Sequence, residues 1–196
     1  MTPFLAILAF LCGSFPSGLV LGKLILGQDI RRGGSGNIGA ANVARQAGFK
    51  VGVLTAVLDA LKGLIPVLIA RGVGMDTRGL ALVALAAVLG HDFSIFLRFR
   101  GGKGVATTVG VMLALAPPAA LLSIAVFVVV FLLSSYASLA SLGALALLPL
   151  FLVLTHGPQI YVPLATVLFF LAVWKHRANI SRLIQGTEQG FRDRDR

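Results

Sequence analysis

Seven apolar stretches fill this chain, at about residues 3–27, 51–70, 79–97, 105–116, 117–135, 138–154 and 159–174. A helix rises about 1.5 Å per residue, so roughly 20 apolar residues cross the hydrocarbon core of a bilayer. Most of the stretches meet that length once tilt and burial are allowed for. The fourth, Val105 to Ala116, is short, and Pro117-Pro118 ends it and starts the next helix. Of 196 residues, 57% are hydrophobic and 12% charged, with a mean hydropathy of +0.93. That lies outside the range of a soluble globular domain. The length leaves no room for a separate soluble part, so residues 1–196 are expected to form a single membrane-embedded domain.

Charge sets the topology. Lys and Arg number 17 against 7 Asp and Glu, a net charge of +10. Basic residues of membrane proteins collect in cytoplasmic loops, where they also meet anionic headgroups and anionic substrates. Seven crossings with the N-terminus outside place fourteen of the seventeen cations inside. These are Lys23, Arg31, Arg32, Arg45, Lys50, Arg98, Arg100, Lys103, Lys175, Arg177, Arg182, Arg192, Arg194 and Arg196. Arg71 and Arg78 fall outside, and Lys62 lies within a span. If the fourth stretch did not cross, the six tail cations from Lys175 onward would face outward, against that rule. The expected fold is an all-α integral membrane protein, a seven-helix transmembrane bundle with a cytoplasmic C-terminus. The first stretch lacks a basic leader and is followed by more apolar sequence, so it reads as a retained span rather than a signal peptide. Cys12 is the one cysteine, which rules out an internal disulfide.

On the cytoplasmic side the sequence writes Arg-Gly-Gly-X-Gly twice, at 32–36 and 100–104. Glycine runs free backbone N–H groups to face an anion, and a following helix N-terminus adds partial positive charge. The plainer alternative is that the glycines only turn the chain between helices. In the first copy Gly34 and Gly36 flank the Ser35 hydroxyl, and Asn37 and Asn42 follow with amides. Arg45 then offers a planar fork for two phosphate or carboxylate oxygens, or else snorkels to lipid phosphate. In the second copy Lys103 stands among Gly101, Gly102 and Gly104 at a helix start, where it can neutralise a phosphate. The spacing does not follow the Walker pattern, which excludes a nucleotide triphosphatase. Arg98 and Arg100 fit a positive-inside anchor.

A third cluster closes the last span. His176 and Asn179 are three apart and share a helix face, while Lys175 and Arg182 can point to headgroups. The histidine is a candidate general base or phosphate ligand; the alternative is a basic juxtamembrane helix with an incidental histidine. Ser141 is a candidate anion contact, and Ser138, one turn before it, is assigned to helix packing. Asp59 and Lys62 form an i,i+3 pair inside the second span and are expected to be paired there. His91-Asp92 lies within reach of the second glycine copy, and His156 falls on the outer side.

No loop groups Asp and Glu for Mg²⁺, and no Cys or His cluster fits a transition metal. No nucleophile-elbow motif is present. Metal-free, cofactor-free transfer from an already activated donor remains. An organic-anion transporter would need polar groups at the outer face and usually an internal repeat. An alcohol phosphotransferase would need an acidic metal motif.

With three segments on one face, the chain resembles the acyl-phosphate:glycerol-3-phosphate acyltransferases of bacterial membranes, the PlsY type. The first family motif reads Gly-Ser-Gly-Asn-Ile-Gly-Ala-Ala-Asn-Val-Ala-Arg at 34–45. The second runs from Gly90-His91-Asp92 to Gly101-Gly102-Lys103-Gly104, and the third from His176-Arg177-Ala178-Asn179 to Glu188. Members often carry Thr where this chain has Ala41, so no hydroxyl role is assigned there. The resemblance implies a seven-helix bundle in the bacterial inner membrane, with its site facing the cytoplasm. It implies acyl transfer from acyl phosphate to the 1-hydroxyl of glycerol 3-phosphate, forming lysophosphatidic acid. The implied catalytic residues are Ser35, Asn37, Arg45, Lys103, His176 and Asn179. Gly34, Gly36, Asn42, Gly101, Gly102, Gly104 and Ser141 are expected to bind substrate. The partners are the two substrates and membrane lipid. The soluble enzyme that makes acyl phosphate is a further candidate, and nucleic acid is not expected.

Overall fold

The computed structural model describes residues 1–191; Arg192, Arg194 and Arg196 of the charge tally lie outside the described residues. The chain divides into two units, Met1–Leu115 and Ala116–Arg196. The first contains α1 (Thr2–Ser14), α2 (Ser17–Leu26), α3 (Ala40–Ala47), α4 (Phe49–Gly72), α5 (Thr77–Asp92) and α6 (Val105–Leu115). The second contains α7 (Pro117–Ser134), α8 (Ala137–Leu154), α9 (Tyr161–Lys175) and α10 (Arg177–Ile184). Among the described residues there is no strand.

Five helical stretches are long and apolar enough to cross a membrane: Thr2–Leu26, Phe49–Gly72, Thr77–Leu97, Pro117–Ser134 and Ala137–Leu154. They coincide with five of the expected spans. The other two expected spans are the shorter helices α6 and α9, of 11 and 15 residues. These measure about 16 and 22 Å.

The expected first span of 3–27 is not continuous. It breaks at Phe15-Pro16, because proline has no N–H to give and drives the residue before it out of the helical region. Phe15 accordingly adopts φ −58° and ψ 123°. Within the first unit α1 packs on α5, α4 on α6, and α3 on α4. Lipid tails are as apolar as leucine, so helices in a membrane associate through close contact at small residues. A Cβ at Gly13 would overlap the Ala87 carbonyl, one at Gly90 that of Phe10, and one at Gly110 that of Ala60. In the second unit α7 packs on α8 and α8 on α9.

Candidate functional site

The first glycine segment is folded around Asn42. This side chain is 1% exposed. Its Oδ1 accepts from the Ser35 N–H at 2.9 Å, and its Nδ2 donates to the carbonyls of Ile30 at 3.0 Å and Asn37 at 2.7 Å. Gln46, one turn on along α3, donates to the Ile30 and Gly33 carbonyls. The amide expected to contact substrate is therefore hydrogen-bonded inside the loop, where Asn42 shapes the segment. Asn37 is also a loop builder, since its Oδ1 accepts from the Gly39 N–H at 2.8 Å just before α3. Gly34 and Gly36 take left-handed φ values of 56° and 69°. Ser35 is exposed between them, and Arg45 is half-buried on α3, three residues from Asn42. Ahead of this segment Asp29 caps a short 3-10 turn, and its hydrogen bond from the Arg31 side chain holds the carboxyl at about 2.

The second segment leaves α5 through a 3-10 turn at Ile95–Leu97. Arg98 and Phe99 follow at φ 52° and 62°. Non-glycine residues in that region cost of order 1–3 kcal/mol each. Surrounding bonds hold the turn: the Phe99 N–H donates to the Ser94 carbonyl at 2.8 Å. The Gly101 and Gly102 N–H groups donate to the carbonyls of Asp92 at 3.2 Å and His91 at 3.0 Å. This corrects the expectation that these two amides face an anion. Glycine is required here by close approach, because a Cβ at Gly101 would overlap the His91 carbonyl and one at Gly102 the His91 ring. Gly104, at φ 72°, delivers the chain into α6, with Lys103 half-buried just before it. Leu97 packs in one apolar cluster with Leu19, Ile30, Ile38 and Val43, so both glycine segments rest on a shared support.

In the second unit the organising group is Glu188, which stood in the third motif without an assigned role. It is 7% exposed. It accepts from Ser138 Oγ at 2.7 Å, Asn179 Nδ2 at 2.6 Å and Arg182 Nε at 2.8 Å. Burial pushes the carboxyl up, but the bonds from Asn179, Ser138 and Arg182 outweigh it and hold the group below its ordinary range. A lone acid ending a basic segment was the available signal. Ser138, assigned to helix packing, reaches the carboxylate, and Ser141 donates to its own helix at Ala137 O, 2.7 Å away. Arg182, expected to point to headgroups, pairs with Glu188. His176 forms the joint between α9 and α10, with Nδ1 2.8 Å from the Ala172 carbonyl. A carbonyl only accepts, so Nδ1 is the donor in this bond. Lys175 and Arg177 flank the Trp174 ring, as cations and aromatics do at a membrane interface.

The Glu188 bonds predict a pH effect. A carboxyl held down in the folded state adds stability above its ordinary value and loses it as pH falls through the folded one. Glu188→Gln should cost about 1–3 kcal/mol near pH 7. The Tm gap to the parent protein should shrink below about pH 4.3, where the unfolded carboxyl protonates. Thermal melts of both proteins across pH check this.

Apolar helices long enough to cross a membrane, with Arg45 and Lys103 beside ordered glycine segments, fit an integral-membrane enzyme. The chain belongs to the glycerol-3-phosphate acyltransferase family, whose sequence model matches residues 3–186. It is thus an acyltransferase. The glycerol-3-phosphate acyltransferase of Trichlorobacter lovleyi is 52% identical over 94% of each chain. That of Solidesulfovibrio magneticus is 50% identical over 97% of this chain and 95% of its own. Crystal structures of PlsY, an integral membrane glycerol 3-phosphate acyltransferase, are also similar. Its glycerol 3-phosphate form gives a TM-score of 0.92 at 46% identity, covering 97% of this chain and 95% of that one. Its lysophosphatidic acid form gives 0.88 at 44% over the same shares.

Proposed function

We propose that this protein transfers a fatty acyl group from acyl phosphate to the 1-hydroxyl of glycerol 3-phosphate. The hydroxyl oxygen attacks the acyl carbonyl, the bond from carbonyl carbon to phosphate oxygen breaks, and inorganic phosphate leaves with lysophosphatidic acid as the other product. Acyl phosphate is a mixed anhydride, so the leaving phosphate needs no general acid. The protein's task is to hold two phosphates against their repulsion, align hydroxyl with carbonyl and stabilise the oxyanion. The observation that carries the reading is the common support of the Ser35–Arg45 segment and the Lys103 loop, two cation-bearing elements for two phosphorylated substrates.

Ser35, Gly34, Gly36, Gly104 and Lys103 are assigned to the donor's phosphate and carbonyl. Gly101, Gly102, Asn37 and Asn42 serve by shaping the loops. Arg45, His176 and Asn179 are assigned to glycerol 3-phosphate. Ser141 spends its proton on Ala137, so it suits a substrate hydroxyl better than a phosphate oxygen. His176 Nε2 is the first candidate to accept the hydroxyl proton, and a substrate phosphate oxygen the second. His176→Gln separates them: loss of the acidic limb in the pH profile of kcat is expected, and an unchanged profile selects the phosphate route.

In this reading residues 1–196 act as one domain that crosses the bacterial inner membrane seven times. The N-terminus is outside, and the site faces the cytoplasm. The short α6 crosses in a protein environment, and the positive-inside distribution supports the orientation. Lipid surrounds the helices, and the basic tail is the docking point for a soluble donor-making enzyme. Purified enzyme in chelator, given acyl phosphate and glycerol 3-phosphate, should release phosphate and lysophosphatidic acid in equal amounts. Transfer from acyl thioesters alone would overturn the assignment.

A further inference from the structure

Two buried charges of the first unit have no part in the chemistry above. Asp59 and Lys62 lie on α4, 3% and 6% exposed, with Lys62 Nζ 2.8 Å from Asp59 Oδ1. Burying an ion pair costs several kcal/mol per ion before attraction offsets it, and ionised groups at membrane depth usually serve function. The contacts of this pair lead to the break in the first span. Lys62 Nζ donates to the Phe15 carbonyl at 2.8 Å, a group that the Pro16 break removes from the helical ladder. At the same break Ser94 Oγ donates to the Ser14 carbonyl at 2.5 Å.

From that point two paths run outward. One passes through α2 to the first glycine segment: Gly18 sits so close to the Ile38 carbonyl, and Gly22 to the Ile30 side chain, that neither has room for a Cβ. The other runs to the second segment. Asp59 Oδ1 is 3.8 Å from His91 Nδ1, and the His91 ring fills the space beside Gly102 while its carbonyl takes the Gly102 N–H. Ser94 itself begins the turn that leads there, and its carbonyl holds Phe99.

We propose that the Asp59–Lys62 pair, seated on the broken first span, is a positioning device that fixes the Ser35–Arg45 segment relative to the Lys103 loop. Neither residue touches substrate. The proposal rests on the reading that these two segments hold the two reactants. Each segment has its own internal bonds, so loosening the pair leaves the hold of Arg45 on glycerol 3-phosphate largely intact and spoils the alignment of hydroxyl with carbonyl.

The test is the double variant Asp59→Asn/Lys62→Met, which removes both charges together and so avoids an unpaired one. Melting temperature, kinetics for each substrate and amide hydrogen exchange are measured on full-length enzyme in detergent. The expected result is a Tm within a few degrees of the parent and a KM for glycerol 3-phosphate changed by less than about threefold. With them kcat should fall roughly 10- to 100-fold, as misaligned reactants require. Exchange should rise at both 33–39 and 99–104. A parental kcat, or exchange unchanged at both segments, overturns the proposal. If the double variant does not fold, Ser94→Ala carries the test by cutting the other tether. There kcat should fall several-fold at parental Tm, and an unchanged kcat overturns the idea. Should the parent prove inactive with acyl phosphate, the functional reading fails, and the exchange measurement still judges the tether.

Discussion

Replacing Arg45 with alanine should lower kcat/KM for acyl transfer by roughly 100-fold or more, equivalent to about 3 kcal/mol of transition-state binding. The guanidinium is carried on α3, a helix tied to the loop by Asn42 and Gln46. The fork is therefore held on a firm mount, and alanine leaves the Asn42 and Gln46 bonds of that mount in place. Arg45→Lys keeps the charge but loses the paired geometry, so it should recover only part of the activity. The substrate whose KM rises in the lysine variant identifies the phosphate that Arg45 holds. A near-normal kcat/KM for the alanine variant would remove Arg45 from the site.

The second large effect is expected from Gly101→Ala. The added methyl meets the His91 carbonyl oxygen, which already receives the Gly102 N–H, and a backbone group anchored at the end of α5 has little freedom to give way. Activity should fall by roughly two orders of magnitude, with Lys103 displaced from its working position. Gly72→Ala is the matched control, because nothing lies within 4 Å of its new methyl. That change should leave activity intact and stability unchanged or slightly raised, since alanine is favoured over glycine in a helix by up to about 1 kcal/mol. Equal damage from both substitutions would mean that the close approach at Gly101 is not what matters.

Helix positions were legible in this sequence because membrane burial leaves an apolar signature that needs no tertiary knowledge. The five long stretches follow it closely, and Pro117 marks the α7 start. The break at Phe15-Pro16 was less visible, since apolar residues continue on both sides and only the donors that catch the freed carbonyls reveal it. Site residue types were readable for the same reason that glycines, asparagines and cations stand out against a hydrocarbon background. Their division into ligands and scaffold was not. Asn42 and Ser35 look equally available on the page, yet one spends both ends of its amide inside the loop and the other is exposed. Ser138 and Ser141 differ only by one turn of α8, and a distant carboxylate decides which hydroxyl it uses.

Glu188 lies past residue 186, where the family match stops. Three residues later the Phe191 N–H donates to the Ser135 carbonyl, and its ring meets Phe131 edge-on. A shortened chain trimmed to the homologous boundary would discard the acceptor that Ser138, Asn179 and Arg182 share. For anyone engineering this enzyme, the sequence to keep runs at least through Phe191.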